Sequence, residues 1–361
     1  MTPPHTPSWH TLAIYSGHPN RVVLDVIRAW EQDLGSVCES YWTRGYVGGA
    51  HVRVNVRADA GTASSVLERL ADMAADHFET MPTTDDGGYD PERARRLSVE
   101  EGLDTAGIDF GYRADVTAAV PYHTPASHLG VEGATLTEAF YAESRPTAYA
   151  ILDATSPRAE ALKLYFLRSL VFLGSLVDGS LSFRSHWERF AAGKPATLTA
   201  SIEAAYVANR EGIHAVAEAA LAEWEHGDLS QDPVVAAWVP LQRRFQDRIA
   251  ALYDAGRLGA VVPSEPRTYL EHGRLSMGGA ERETPFLSVL FGDDDAFDRF
   301  CGRRGLVLTR MNVNLLYLLL PQLGFSVVDR FAFGHFAYRA VEDLYDVDLA
   351  DRLRGVMARG A

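Results

Sequence analysis

The feature that most constrains this fold is a seven-residue alternation of valine and polar residues, His51–Arg57, that follows a Gly-Gly pair. Successive side chains of a β-strand point to opposite faces, so the valines share one face and the polar side chains the other. The valine face predicts a strand packed on a core. The polar face, formed by His51, Arg53, Asn55 and Arg57, is either exposed to solvent or, if it is covered, the wall of a site.

The segments around this alternation predict a small α/β unit. Strands are expected at Trp9–Tyr15, Val37–Trp42 and Gly111–Tyr122, and helices from Pro19 to a stop at Gly35 and from Gly61 to Met81. The first helix carries one apolar face, made of Val22, Val23, Val26, Ile27, Trp30 and Leu34. These elements fill the first third of the chain.

From about Glu132 onward the apolar periodicity is helical almost throughout. Helices are predicted at 134–144, 160–176, 186–192, 199–225, 234–254, near Arg299, and at 312–320 and 335–354. No internal repeat or long linker separates two halves, so the sequence predicts one α+β domain over residues 1–361, with a mostly helical C-terminal two-thirds.

Composition excludes several classes of protein. The chain has 361 residues, 47% of them hydrophobic, and a formal net charge of −14, which argues against overall disorder and against nucleic acid as a partner. The longest apolar runs, such as Leu315–Leu320, are far shorter than the ~20 residues that span a bilayer. The first residues, Met1–Pro7, carry neither a basic stretch nor an apolar run, so we expect no secretory signal. We therefore expect a cytoplasmic protein with no membrane partner.

The common cofactor and metal motifs are absent from the sequence. It has no dinucleotide-binding or Walker glycine loop, no His-Glu-x-x-His and no Gly-x-Ser-x-Gly elbow. Cys38 and Cys301 are too few for a zinc site or a disulfide framework. The triplet Asp293–Asp295 is typical of a solvated capping turn, and His186 and His335 are individually typical of structural histidines. We expect no cofactor and no metal.

Several short motifs, in order along almost the whole chain, carry a resemblance to a known family. They are Trp9–Tyr15, Tyr41–Tyr46, Gly49–Val54, Phe183–Phe190, Arg310–Asn314 and the helix around Glu342. In this order they resemble the C-terminal domain family of lantibiotic dehydratases. The resemblance implies the fold of the glutamate-elimination domain, which removes glutamate from glutamylated Ser or Thr in a precursor peptide.

The departures from the eliminase pattern indicate a different reaction. Asn55 stands at the second arginine of the His-led strand, and Arg310 stands at the catalytic histidine. In the segment Tyr122–Gly130, Pro125 and His128 replace the family's Glu and Arg. Glutamate elimination needs cations that hold a carboxylate, and an acid/base pair that removes the α-proton. At the equivalent positions of this chain, those groups are mostly replaced. The chain is more similar to the stand-alone pyridine synthases of thiopeptide biosynthesis, a branch of the same family.

This resemblance implies a reaction and a partner. Pyridine synthases join two dehydroalanines of a thiazole-bearing precursor by a formal four-plus-two aza-cycloaddition, which forms a pyridine and a macrocycle and releases water and the leader peptide. The expected partners are the modified precursor, leader plus core, and other enzymes of the pathway. Two alternatives stay open: a glutamate-elimination partner of a split dehydratase, and a non-catalytic precursor-binding scaffold.

Candidate site residues follow from the motifs and from the chemistry. The catalytic candidates are Arg53, Tyr122, His128, Ser288, Arg310, Asn312 and Asn314, and the substrate-binding candidates are Tyr41, Trp42, Arg44, His51, Asn55, His186 and Tyr317. Arg53, Asn55 and Arg44 are expected to form one polar wall. The segment Arg310–Asn314 is expected to precede an apolar helix, as site residues or as a buried polar clasp. His186 is expected at the start of its helix.

Two further features have a functional and a structural interpretation. Arg93, Arg95 and Arg96 form either a docking point for an acidic leader or a plain solvated helix face. Trp187, like Tyr41, Trp42 and Tyr317, is a candidate for stacking on thiazoles, although single aromatic residues are more often core.

Overall fold

A computed structural model describes residues 7–35, 37–84, 88–100, 106, 108–125, 130–227, 230–257, 284–291, 299 and 303–358. The chain divides into two compact units. The first, here called the sheet unit, comprises Met1–Pro125, Tyr141–Asp153 and Pro321–Gly324; the helical unit comprises Ala126–Phe140, Ala154–Leu320 and Phe325–Ala361. His128, Cys301 and Asp293–Asp295 lie outside the described residues. The single domain over residues 1–361 stays a prediction.

The sheet unit is built on four antiparallel strands in the order β2-β3-β1-β4. Their bounds are β1 Ser8–Tyr15, β2 Glu39–Gly45, β3 His51–Ala58 and β4 Val116–Val120. The predicted strand at Gly111–Tyr122 is thus shortened at both ends. Asp115, at φ 52°, precedes β4, and Pro121, which has no N–H to donate, follows it.

The valine face of this sheet is buried in the core of the unit. The valines of β3 are at most 1% exposed. Helix α1 runs from Pro19 to Leu34 in three parts, Pro19–Arg21, a π-helical Val22–Ile27, and Arg28–Leu34, and buries its whole predicted apolar face. Helix α2, Ala60–Thr80, packs on β1, β3 and α1, and the Asp59 carboxylate accepts from the N–H groups of Gly61 and Thr62 in its first turn.

Two helices of the sheet unit were not among the predicted segments: α3, Pro91–Glu100, and α5, Arg145–Asp153. Helix α5 packs on α1 through Glu31. One carboxylate oxygen of Glu31 accepts from Arg145 Nη1 at 2.6 Å, and the other accepts from the Tyr149 hydroxyl, also at 2.6 Å. The pairing is mostly buried, which makes it stronger than a surface ion pair.

The helical unit is organised around a central helix, α6. Residues 161–170 of this helix are all buried, and α7, α9, α10 and α13 pack around it. The helices are α4 Gly130–Glu143 (its last residues belong to the sheet unit), α6 Pro157–Leu173, α7 Leu176–Ala192, α8 Ala196–Ala208, α9 Arg210–His226, α10 Pro233–Asp254, α11 Pro285–Phe291, α12 Arg304–Gln322, α13 Val327–Tyr345 and α14 Leu349–Ala358.

The predicted fold class, α+β with a mostly helical C-terminal part, is confirmed. Several boundaries differ. The segment 199–225 is two helices that break at Asn209, and 335–354 is two helices separated by Asp346, which adopts a left-handed conformation. Within the described ranges, no helix is both long and apolar enough to cross a bilayer.

A close contact between α6 and α7 generates a stability prediction. A Cβ added at Gly179 would lie 2.8 Å from the backbone Cα of Ser169, which cannot rotate away. We expect Gly179→Ala to lower the free energy of unfolding by about 1–3 kcal/mol through overpacking, measured by denaturant unfolding. The matched control is Gly212→Ala, at an exposed position of α9 with open space around the new methyl group. That substitution is expected to stabilise by about 0.5–1 kcal/mol, and equal effects at both positions would contradict the packing explanation.

Candidate active site

The strand register gathers polar side chains on the face of the sheet opposite the valines. Tyr41 opposes Asn55, and Asn55 opposes Thr11, so the three residues form one row across β2, β3 and β1. Arg53 lies in the next row on the same face. Together with Trp9 and Tyr122, these residues are called the polar wall. The structure thus places four sequence-predicted candidates in one cluster: Arg53, Asn55, Tyr41 and Tyr122.

The buried part of the polar wall is held by a hydrogen bond. The Thr11 hydroxyl donates to Asn55 Oδ1 at 2.7 Å, and both side chains are almost completely buried, at 4% exposure each. A buried amide is stable only when its polar atoms are paired. Thr11 therefore orients the Asn55 amide, and the exposed-surface interpretation of this face does not hold for Asn55 or for His51.

Arg53 supplies a cation at the partly open side of the polar wall. Its side chain is half-buried, and Nη2 donates to the Pro121 carbonyl oxygen at 2.7 Å. Burial lowers the pKa of the guanidinium, and the nearby hydroxyls of Tyr15 and Tyr41 oppose that effect. The group stays protonated at neutral pH, because an arginine starts from a pKa of about 12.5 or more. It can donate charge-assisted hydrogen bonds to an amide oxygen.

An aromatic cluster completes the polar wall. The Tyr41 hydroxyl donates to the Tyr122 hydroxyl at 3.1 Å. Trp9 stacks on Tyr122, with ring centroids 5.4 Å apart and planes 15° apart, and meets the edge of Tyr41 at 5.0 Å. Trp9 and Tyr122 are partly exposed. Trp9 was not among the sequence-predicted site residues, although its odd-numbered position on β1, shared with Thr11, was a usable signal.

His51 ends the same face of β3 but is enclosed. Its Nδ1 lies 2.9 Å from the Gly49 carbonyl oxygen, and its ring packs on Tyr15 with centroids 4.6 Å apart. Burial lowers its pKa to about 4, so the imidazole is neutral at pH 7. A side chain at Gly45 would overlap the His51 ring. This packing leaves His51 only 5% exposed.

Two predicted site residues lie on the other face of the sheet. Trp42 and Arg44 oppose Val54 and Val52, so the expectation that Arg44 forms one polar wall with Arg53 and Asn55 is wrong. Trp42 is fully buried. Side chains alternate in direction along β2, which separates these two residues from Tyr41.

Arg44 is instead part of a clasp around Gln322. Its Nε donates to the Gln322 carbonyl oxygen at 2.5 Å, and burial lowers its pKa to about 10. The Gln322 side chain donates to the Trp42 carbonyl oxygen at 2.8 Å and accepts from the Ser144 hydroxyl at 3.0 Å. We call these four residues the Gln322 clasp, and it fixes residues 321–324 to β2.

The helical unit contains a cavity of about 650 Å³ between α7, α11, α12 and α14, here called the helical-unit cavity. His186 and Arg310 both line it, and Tyr317 lies behind His186, with its hydroxyl 2.7 Å from His186 Nδ1. Burial, followed by the charges of Arg189 and Arg310, lowers the pKa of His186 to about 3. Burial also raises the pKa of Tyr317 well above its usual value. The pair is therefore neutral at pH 7.

The structure corrects two local expectations in this unit. Arg310, Asn312 and Asn314 do not precede a helix but lie inside α12, which begins at Arg304. His186 does not start its helix; it lies well inside α7, which begins at Leu176.

The remaining candidates of the helical unit are dispersed. Asn312 is buried and donates to the Leu308 carbonyl oxygen at 3.0 Å, whereas Asn314 and Ser288 are exposed. Trp187 is buried and packs on His335, with ring centroids 4.2 Å apart. In the sheet unit, the arginine cluster lies exposed on α3: Arg93, Arg95 and Arg96. The role of each stays a prediction.

Comparison with known proteins places this architecture among solved structures. The pyridine synthase TbtD from thiomuracin biosynthesis aligns with a TM-score of 0.70 and 21% identity, over 94% of this chain and 99% of its own. This chain has the TbtD fold. A second solved structure, TsrL, aligns with a TM-score of 0.66 and 20% identity, over 97% of this chain and 98% of its own.

The other comparisons found a weaker likeness or no match. The tRNA-dependent lantibiotic dehydratase MibB from Microbispora sp. 107891 reaches a TM-score of 0.36 and 15% identity, over 96% of this chain and 29% of its own. No family model and no curated protein matches the chain. Within the described ranges, no group of three or more His, Cys, Asp or Glu side chains could hold a metal ion.

The burial of His51 generates a prediction on pH. Its pKa of about 4 in the folded protein is below the ordinary value near 6.5. Unfolding therefore takes up a proton between these two pH values, and stability is lost as the pH falls from about 6.5 towards 4. Through this residue, we expect the free energy of unfolding to fall by on the order of 2 kcal/mol between pH 7 and pH 5. Urea unfolding at each pH measures it.

The variant His51→Gln should reduce this pH dependence, and His226→Gln, at an exposed helix end, should leave it unchanged. An unchanged slope in His51→Gln would show that the imidazole is not the group that takes up the proton.

Proposed function

We propose that this chain is a thiopeptide pyridine synthase, which joins two dehydroalanines of a thiazole-bearing precursor peptide. The observation that best supports the proposal is the likeness to the pyridine synthase TbtD over 94% of this chain and 99% of that one. The polar wall adds chemical support, because it presents a cation, two hydroxyls and an aromatic platform on one face. The chain requires no cofactor under this proposal.

The proposed reaction balances without an oxidant. One dehydroalanine and the iminol form of its preceding amide act as a four-atom azadiene, and the alkene of the second dehydroalanine adds across it. Two carbon–carbon bonds form: one between the two methylene carbons, and one between the iminol carbon and the second α-carbon. Each methylene carbon then loses a proton; one loss accompanies the hydroxyl leaving as water, and the other accompanies the leader leaving as an amide. The product is an aromatic pyridine.

Arg53 and the tyrosine pair match the needs of this chemistry. An amide that becomes an iminol, and later loses water, requires hydrogen-bond donors at its oxygen and a group that moves a proton. We assign the first role to the Arg53 guanidinium, at the partly open side of the polar wall. We assign proton movement to Tyr122, whose hydroxyl accepts from the buried Tyr41 hydroxyl at 3.1 Å. Asn55, held by Thr11, positions this row.

Positioning is the larger demand, because two alkenes far apart in a flexible peptide must meet. Holding reactants in near-attack geometry supplies as much as about 7–11 kcal/mol of the barrier. Trp9 and Tyr122 stack in parallel and are partly exposed, so we propose that they hold a flat thiazole. Arg310, His186 and Tyr317 are proposed as further peptide contacts. His128, Asn312, Asn314 and Ser288 stay sequence-based candidates.

The first test is a reaction without any added cofactor. The purified chain is incubated with a leader-bearing precursor that contains thiazoles and two dehydroalanines, and the masses are followed. We expect a released leader amide and a core lighter by leader plus water. Binding without conversion would favour the scaffold alternative, and conversion of a glutamylated precursor alone would favour the eliminase.

The second test addresses the polar wall. Arg53→Met should lower turnover roughly 10²-fold or more by removing the hydrogen-bond donors, and Tyr122→Phe should lower it roughly 10²–10⁴-fold by removing the mobile proton. Precursor affinity, measured by fluorescence anisotropy, should change much less. The matched control is Arg57→Gln, an exposed arginine four residues along the same strand, whose turnover should equal that of the unaltered chain. Equal losses in Arg57→Gln would sink the assignment of Arg53.

A further inference from the structure

The two outer strands of the sheet differ in how their outer sides are covered. On β2, the side chain of Gln322 donates to the Trp42 carbonyl oxygen at 2.8 Å and so occupies the outer side of the strand. The outer side of β4, Val116–Val120, is here called the β4 edge. Within the described ranges, no second strand pairs with β4 and no side chain forms a hydrogen bond to it.

The register of the sheet determines which backbone groups face the β4 edge. In an antiparallel pair, residues alternately direct their N–H and C=O groups towards the partner strand and away from it. Ser16 N donates to the Ala50 carbonyl oxygen at 3.2 Å, so even-numbered residues of β1 face β3 and odd-numbered ones face β4. On β4, Thr117 and Ala119 therefore direct their N–H and C=O groups outward. The described part of the chain supplies no partner for these four groups.

The side chains of β4 do not protect this edge. None of the five residues of the strand is buried, whereas β1 and β3 are mostly buried, and Val116 is 44% exposed. The strand, Val-Thr-Ala-Ala-Val, contains no charged residue and no proline, and it pairs with β1 without a bulge. Charges, prolines and bulges are the features by which edge strands avoid pairing with another chain. The β4 edge is therefore suited to pairing with an added strand.

The β4 edge also lies next to the polar wall. Ala118 opposes Ala13, and Ala13 opposes Arg53, so the three residues form one row that runs from β3 to the edge. The Arg53 guanidinium donates to the carbonyl oxygen of Pro121, the residue that follows β4, and Tyr122 comes next in the chain. A strand paired with β4 lies only about 4.8 Å from it. A peptide on this edge therefore passes beside the groups proposed for catalysis.

We infer that the β4 edge binds an extended segment of the substrate peptide as a fifth strand of the sheet. The inference rests on the proposed function in one respect, that the substrate is a peptide. In this mode of recognition, backbone hydrogen bonds supply affinity and the side chains at alternate positions supply specificity. The added strand fixes the direction in which the peptide crosses the polar wall.

The outward backbone groups define which segment fits. Thr117 and Ala119 each offer one N–H and one C=O, so the added strand must present both groups at two positions separated by one residue. A thiazole lacks the N–H and the C=O of the peptide bond from which it forms. The segment is therefore an unmodified stretch of at least three residues outside the thiazoles. Val116 and Val120 favour apolar, β-branched side chains opposite them.

The first test measures binding alone, so it is independent of turnover. The probe is a fluorescein-labelled, amidated heptapeptide, Ser-Val-Thr-Val-Thr-Val-Ser, prepared as a series in which one residue at a time carries an N-methyl group. An added strand directs every second amide to the edge. In anisotropy with the full chain, N-methylation should weaken binding roughly ten-fold or more at alternate positions. It should leave binding unchanged at the positions between them.

Hydrogen exchange locates the peptide on the chain. Saturating heptapeptide should slow exchange of the Thr117 and Ala119 amides, measured by mass spectrometry with residue-level fragmentation. Ala119→Pro removes an outward N–H that the sheet does not use, a position where an edge strand tolerates proline, and should weaken binding roughly ten-fold or more. The matched control, Ala119→Ser, keeps the N–H and should bind normally. Thermal unfolding establishes that each variant is folded; if Ala119→Pro is not, the N-methyl series and the exchange data carry the comparison.

Absence of binding, equal weakening at every N-methylated position, or protection only outside Val116–Val120 would overturn the inference. Failure of the β4 edge and failure of the proposed function are distinguishable. Pyridine formation by a chain whose β4 edge binds no peptide would overturn only the edge assignment. Peptide binding at the edge without pyridine formation would support the edge and count against the synthase.

Discussion

The antiparallel pairing of β1 with β3 is the constraint on which the polar wall depends. In this register Asn55 opposes Thr11 and Arg53 opposes Ala13, whereas Val54 and Val52 oppose Leu12 and Ile14 on the other face. A shift by one residue would carry the valines to the polar side and the arginine into the core. The valine face, buried under α2, makes such a shift very costly, and the hydrogen bond between Thr11 and Asn55 favours the same register.

The two faces of the sheet have different roles in holding this arrangement. The apolar face supplies most of the stabilisation, since burying each valine is favourable by about 1.5–3 kcal/mol. The polar face then needs only to provide hydrogen-bond partners for its own buried polar atoms. Asn55 and His51 do so within the sheet unit, and Arg53, Trp9 and Tyr122 are the partly exposed members of this face.

Much of this arrangement could be predicted from local patterns. The period-two alternation at His51–Arg57 located β3 and the face that carries Arg53, and the helical periodicity after Pro19 located the buried face of α1. The same period-two rule places Trp42 and Arg44 on the face opposite to Tyr41, so the sequence already contained the signal that Arg44 does not join the polar wall. Helix starts were harder to predict. Helix α12 begins six residues before Arg310, in a stretch whose first residues include Gly305 and lack a strong capping pattern.

The Gln322 clasp had no local signal at all, because Gln322 and Trp42 are 280 residues apart in sequence. Its consequence concerns the order in which the protein is made. Domains synthesised on the ribosome tend to fold from the N-terminus as they emerge. Here β2 emerges early. Gln322, which binds the Trp42 carbonyl oxygen and Arg44 of this strand, follows only after most of the chain has been translated. The sheet unit therefore reaches its final hydrogen bonding late, and a fragment that ends near residue 125 would leave the half-buried Arg44 on β2 without its acceptor.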